Sequence, residues 1–138
     1  MTNKKIALDF FKECEEGKGW AGCQEYCAPN ATFSCQAEPL EGMDTLEAYT
    51  NWMQDLYEYM PNAGYETKSI STNEDTSHIS FYAVFTGTHT HEGGPVPPTG
   101  KSVRTDYVYV MELSGGKISH LTKIWNSAIA FKQLGWID

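Results

Sequence analysis

A histidine and an asparagine carry the chemistry most open to reading in this chain. His120 and Asn126 stand in "KISHLTKIWN" (117–126), a run of β-branched and aromatic residues that predicts a strand. Residues two apart in a strand share a face, so Ile118, His120, Thr122, Ile124 and Asn126 line up unless a bulge intervenes. Histidine titrates near neutral pH and can give or take a proton. Asparagine can donate a hydrogen bond to an enolate or carbonyl oxygen but cannot take a proton. Asp106, in "RTDYVYV", is a third candidate. It either pairs with Arg104 on an outer face or points into a cavity.

The stretch "GTHTHEGGPVPPTGK" (87–101) poses a separate question. Its spacing is not that of a GxxxxGK[ST] loop, it lies between two predicted strands, and its prolines remove donors that a phosphate cradle needs. His89 and His91 share a strand face, but two ligands are too few for a metal site, and none is assigned. His89 instead reads as a pocket-rim residue that touches substrate. The four cysteines, Cys14, Cys23, Cys27 and Cys35, all fall in the first quarter. Cys23 and Cys27, four apart on a helix, would hold their Cβ atoms about 5–6 Å apart, against about 3.8 Å in a disulfide. They read as reduced, half-buried apolar side chains. No cofactor is implied.

These residues need a frame. The 138 residues suffice for one domain with a true core, and the whole chain, 1–138, reads as one. The net charge of −8 is uneven: residues 1–75 hold 14 acids against 5 Lys/Arg, and residues 76–138 hold 4 against 5. An acidic chain disfavours nucleic acid and anionic membranes. No signal-peptide core and no apolar span of membrane length is visible, which makes the cytoplasm the expected location. Ile6, Phe10 and Cys14, with Ala7 and Phe11 beside them, predict a first helix. Trp20, Cys23 and Cys27 suggest a short second one, and "ATFSCQ" a short strand. A third helix over 44–59 carries Leu46, Tyr49, Met53, Leu56 and Met60 at three- and four-residue spacing, capped by Asp44 and stopped by Pro61. Such a stripe packs a core or, in a hollow fold, lines a pocket. Four long strands then follow over 65–72, 78–90, 102–113 and 117–126, joined by turn residues. The order predicts an α+β fold: three N-terminal helices on the concave face of a strongly curved antiparallel sheet, closing a cone around a pocket.

Gly87-Thr88-His89-Thr90, Pro97-Pro98-Thr99-Gly100-Lys101, Gly116-Lys117-Ile118 and Gln133-Leu134-Gly135 together resemble the SnoaL-like polyketide cyclases. That family lies within the cone-fold superfamily of nuclear transport factor, ketosteroid isomerase and scytalone dehydratase. The resemblance spans about residues 85–135 and implies the same cone. It also implies that Asn126 stands where these cyclases carry a catalytic Asp, and His120 where many carry Glu. Ketosteroid isomerases place a carboxylate near Cys35, where this chain has no acid.

If Asn126 points inward as in the family, His120 shares its pocket, with walls expected from Trp20, Phe33, Met53 and Tyr57. The protein is then an isomerase, cyclase or lyase acting on a small apolar, carbonyl-bearing ring compound through an enol. The alternative is a non-catalytic pocket for a hydrophobic metabolite. Trp125 would face outward, and the resemblance implies a homodimer through the outer sheet face, with Trp125 and Leu121 at the contact.

Overall fold

A computed structural model describes residues 1–138. Helix α1 (Asn3–Glu15) starts at Thr2, whose hydroxyl accepts from Lys5 N at 3.1 Å. Its stripe of Ile6, Ala7, Phe10, Phe11 and Cys14 is buried, and the stripe runs on to Glu15. The short α2 (Gly19–Cys23) and a 3₁₀ turn lead into β1 (Cys27–Cys35). Helix α3 (Leu46–Tyr59) is capped by Thr45, which accepts from Ala48 N at 3.2 Å, and not by Asp44. The Asp44 carbonyl instead accepts from Phe33 N at 3.0 Å, which ties the helix entry to β1. Leu46, Tyr49, Met53, Leu56 and Met60 are buried as their spacing predicts.

Strands β2 (Gly64–Thr72), β3 (His78–Thr88), β4 (Ser102–Ser114) and β5 (Lys117–Trp125) form the predicted antiparallel meander. The sheet order is β1-β5-β4-β3-β2, and β1 joins β5 in parallel. That parallel edge departs from the all-antiparallel expectation. It arises because the chain crosses from β1 through α3 to the far edge before weaving back. Strand β4 alternates cleanly, with Val103, Thr105, Tyr107, Tyr109, Met111 and Leu113 pointing inward. The curved sheet and helices α1–α3, with a fourth helix α4 (Ser127–Leu134), make the cone. No helix is long and apolar enough to cross a membrane.

Strand β5 contains the bulge that decides side-chain parity. Glu112 pairs with His120 but Leu113 pairs with Ile118, so Ser119 is left over. Ile118 points inward before the bulge. After it, Leu121 and Lys123 are buried while Ile124 is exposed.

The Gly/Pro stretch closes the fold. His89 N donates to the Lys101 carbonyl and Gly100 N to the His89 carbonyl, while Thr90 N reaches the Tyr59 carbonyl at the end of α3. The Thr99 hydroxyl donates to the Leu134 carbonyl at 2.6 Å, and the Gln133 side chain accepts from Arg104 N at 2.7 Å. These bonds hold α4 against β4. Gly135 ends α4 in the left-handed region, at φ 74°, with Lys101 packed where a Cβ would stand. Gly135→Ala should lower unfolding free energy by roughly 1–2 kcal/mol, read from the urea midpoint. Gly42→Ala, with nothing within 4 Å of its added Cβ and no positive φ, should be near neutral.

Candidate functional site

A cavity opens between α3, α4 and the inner faces of β3, β4 and β5. It holds about 480 Å³ of empty space including its mouth, and is narrow inside. Twelve of its fifteen lining residues are hydrophobic, so its contents must be largely apolar. Trp52, Met53 and Leu56 come from α3, Tyr107 from β4, Trp125 from β5, and Phe131 and Trp136 from α4 and its tail. An open groove bordered by Phe33, Cys35 and Met43 meets the cavity at Lys123 and Trp125.

Two charged side chains face this apolar space, Glu15 and Lys123. Both are buried. Glu15 extends the stripe of α1, so the helix face that packs the core carries it inside. Its carboxylate accepts from the Tyr107 hydroxyl and, at 2.7 Å, from the Tyr109 hydroxyl. Tyr109 gives its proton to Glu15, so Tyr49 must donate to Tyr109 in turn. Burial raises the Glu15 carboxyl above its ordinary range, against the lowering pull of the two tyrosines and Lys123. Burial also raises all three tyrosines, reinforced by the Glu15 charge, so they remain hydroxyl donors.

Lys123 stands inside a ring of aromatics. Its Nζ is 4.3 Å from the Trp125 ring centroid, 5.1 Å from Tyr49 and 5.4 Å from Trp52. It forms no ion pair, with Glu15 or any other acid. Burial pushes its ammonium down to about 8, with Glu15 acting in the opposite sense. A carboxyl raised in this way is a stronger base than usual, and an ammonium lowered in this way is a stronger acid.

The family profile of SnoaL-like polyketide cyclase matches residues 5–134. The chain belongs to this family. No curated relative matches it. Solved structures of like shape include AclR, a candidate hydroxylase from Streptomyces galilaeus. It has TM-score 0.78 and 19% identity over 98% of this chain and 82% of that one. IdmH, a candidate polyketide cyclase from Streptomyces antibioticus, has TM-score 0.77 and 20% identity over 98% and 99%. SalBIII, an epoxide hydrolase/cyclase-like enzyme of pyran ring formation in the polyether salinomycin, has TM-score 0.68 and 18% identity over 92% of each chain. At these identities the likeness establishes the cyclase fold.

Within that fold the residues singled out by sequence fall in different places. His120 is on the outer face, among the hydroxyls of Thr32 (2.6 Å), Ser34 (3.1 Å) and Thr122 (3.1 Å). Asn126 is exposed and caps α4, accepting from Ile129 N at 3.3 Å. The two do not share a cavity, because the bulge at Ser119 turns His120 outward and Asn126 lies past the strand end. Asp106 is also outside and accepts from the Tyr82 hydroxyl at 3.1 Å, while Arg104 pairs with Glu66. Met53 lines the cavity as expected. Phe33 borders the groove and stacks on Tyr49 with centroids 4.3 Å apart. Trp20 is half-buried on α2 and packs against the core without reaching the cavity, and Tyr57 donates to the Glu15 carbonyl. His89 is no rim residue. It is fully buried, its Nδ1 accepts from Trp136 Nε1 at 2.9 Å, and Nε2 has no partner. Trp125 and Leu121 face inward and cannot form an outer contact.

Sequence reasoning missed Glu15 and Lys123. Glu15 had a signal: it lies four residues beyond Phe11 and eight beyond Ala7, on a buried stripe. Lys123 had one only to a reader who paired it with the aromatic Trp125. Lys123→Met should show what burial of this charge costs. The unfolded lysine binds its proton near pH 10.5 and the folded one only near 8, so the penalty is absent at high pH and grows as pH falls to 8. The variant should gain about 3 kcal/mol relative to the parent at pH 7. The gain should nearly vanish above pH 10.5, as read by urea unfolding at both values.

Proposed function

We propose that this protein is an enzyme of isomerase, cyclase or lyase type that moves a proton beside the carbonyl of a small apolar ring compound, through its enol. The observation that carries this reading is the pair of buried groups, Glu15 and Lys123, facing one apolar cavity without neutralising each other. Glu15 takes the proton from the carbon next to the carbonyl. Lys123 directs its N–H groups at the carbonyl oxygen, where negative charge grows. Tyr107 and Tyr109 hold the carboxylate in place, and the aromatic walls bind the flat apolar body of the substrate. His120 and Asn126, on which the sequence reading placed this chemistry, are relieved of it.

The test uses 2-tetralone in deuterium oxide as a probe, with deuterium uptake next to its carbonyl followed by NMR. The parent should exchange it, and Glu15→Gln should slow exchange by about 100-fold or more. Binding without exchange would support a non-catalytic pocket, the reading favoured by the missing family carboxylate at Asn126. Absence of binding would remove both.

Self-association through the outer sheet face belongs to the same proposal. Tyr82, Val108 and Ile124 form a cross-strand row there, with Tyr82 38% and Ile124 59% exposed. Sedimentation should give a dimer at micromolar concentration and a monomer for Ile124→Lys. A reducing location such as the cytoplasm suits the four free cysteines.

A further inference from the structure

We propose that Lys123 is a covalent nucleophile: its amine condenses with the carbonyl carbon of an apolar aldehyde or ketone held in the cavity, giving an iminium ion and one water. The proposal rests on the carbonyl-pocket reading above and deepens it, replacing the hydrogen bond from Lys123 to the carbonyl oxygen with a covalent bond to the carbonyl carbon.

The surroundings of Lys123 fit a reacting amine better than a structural charge. A lysine buried to balance Glu15 would touch it, yet the two form no ion pair, and both Glu15 oxygens are taken by Tyr107 and Tyr109. Lys123 is 6% exposed and lines the cavity. The groups that face it are Glu15 and Cys14 of α1, Cys35 of β1, Tyr49 and Trp52 of α3, Tyr107 and Tyr109 of β4, and Trp125 beside it. None of them gives the amine an ion pair. Desolvation outweighs the acids and brings the ammonium to about 8, so a sizeable share is free amine at mildly alkaline pH. The ring faces that accept an ammonium accept an iminium cation equally well.

The steps balance without any redox partner. The nitrogen lone pair attacks the carbonyl carbon, and a proton passes from nitrogen to oxygen to give a carbinolamine. Glu15, in its protonated form, gives a proton to the hydroxyl, which leaves as water while the C=N bond forms. The resulting carboxylate then takes a proton from the neighbouring carbon, leaving an enamine, the nitrogen counterpart of the enol. Reprotonation or carbon–carbon bond formation, followed by hydrolysis, returns the free amine.

Benzaldehyde with sodium cyanoborohydride at pH 8, followed by peptide mapping, reads the bond directly on the unmodified protein. Hydride from the reagent reduces the iminium to a stable benzyl amine. Lys123 should label at least roughly 10-fold faster than exposed lysines such as Lys4 and Lys132, which lie outside the cavity. Benzaldehyde binding is read separately by saturation-transfer NMR without reductant. Binding with preferential label on Lys123 supports the proposal. Binding with Lys123 unlabelled, or labelled no faster than the surface lysines, overturns it and leaves the carbonyl pocket standing. Neither binding nor label on Lys123 overturns both.

Discussion

The fold turns on one buried carboxylate. Glu15 sits buried at the C-terminal end of α1, and burying such a group unpaired would be prohibitive. Two tyrosines of β4 meet the cost, and a third on α3 orients one of them. These four side chains join α1, α3 and the central strand through one polar network inside an aromatic core. Such a network has few ways to be satisfied, so it fixes how the helices sit on the sheet. Phe11, one turn earlier on α1, stacks on Phe81 with centroids 4.4 Å apart and repeats the same docking in apolar terms.

The network also sets how the two buried charges stand to each other. Both oxygens of Glu15 accept from tyrosine hydroxyls, and the carboxylate forms no ion pair with Lys123. The lysine keeps a charge that only ring faces and distant acids support. The two groups stay separate across a space that a ligand can enter, and each is shifted toward its neutral form. A direct contact would have produced a quiet ion pair and erased both shifts.

The architecture was legible because periodicity survives in sequence. The stripe Leu46–Met60 and the alternation of β4 name their own inner faces, and the Gly/Pro and Gln133-Leu134-Gly135 segments carry the family's signature. Those segments turn out to fasten α4 and the loop to β4, so a strong resemblance located the closure of the fold and not the buried charges of the cavity. The site was less legible for two physical reasons. A β-bulge leaves no mark in residue type, and the one at Ser119 moved His120 outside and Lys123 inside. A glutamate at the end of an amphipathic helix reads as solvated unless its partners are known, and Tyr107 and Tyr109 lie more than ninety residues away. The parallel pairing of β1 with β5 was hidden likewise, because nothing in "ATFSCQ" states its neighbour.

Stability alone gives no reason for Lys123 to be where it is. Leu121 precedes it on the same inner face and Trp125 follows it, so an apolar side chain of similar length would pack between them without a desolvation penalty. The lysine forms no bond that another element needs, and its nearest contacts are ring faces that would pack as well against a methionine. The asymmetry with Glu15 is instructive. Removing the glutamate would strand two buried hydroxyl donors, so the fold depends on it. Removing the lysine would strand nothing. A buried charge that the fold can spare, placed where an apolar cavity meets an open groove, is most economically explained by what enters the cavity.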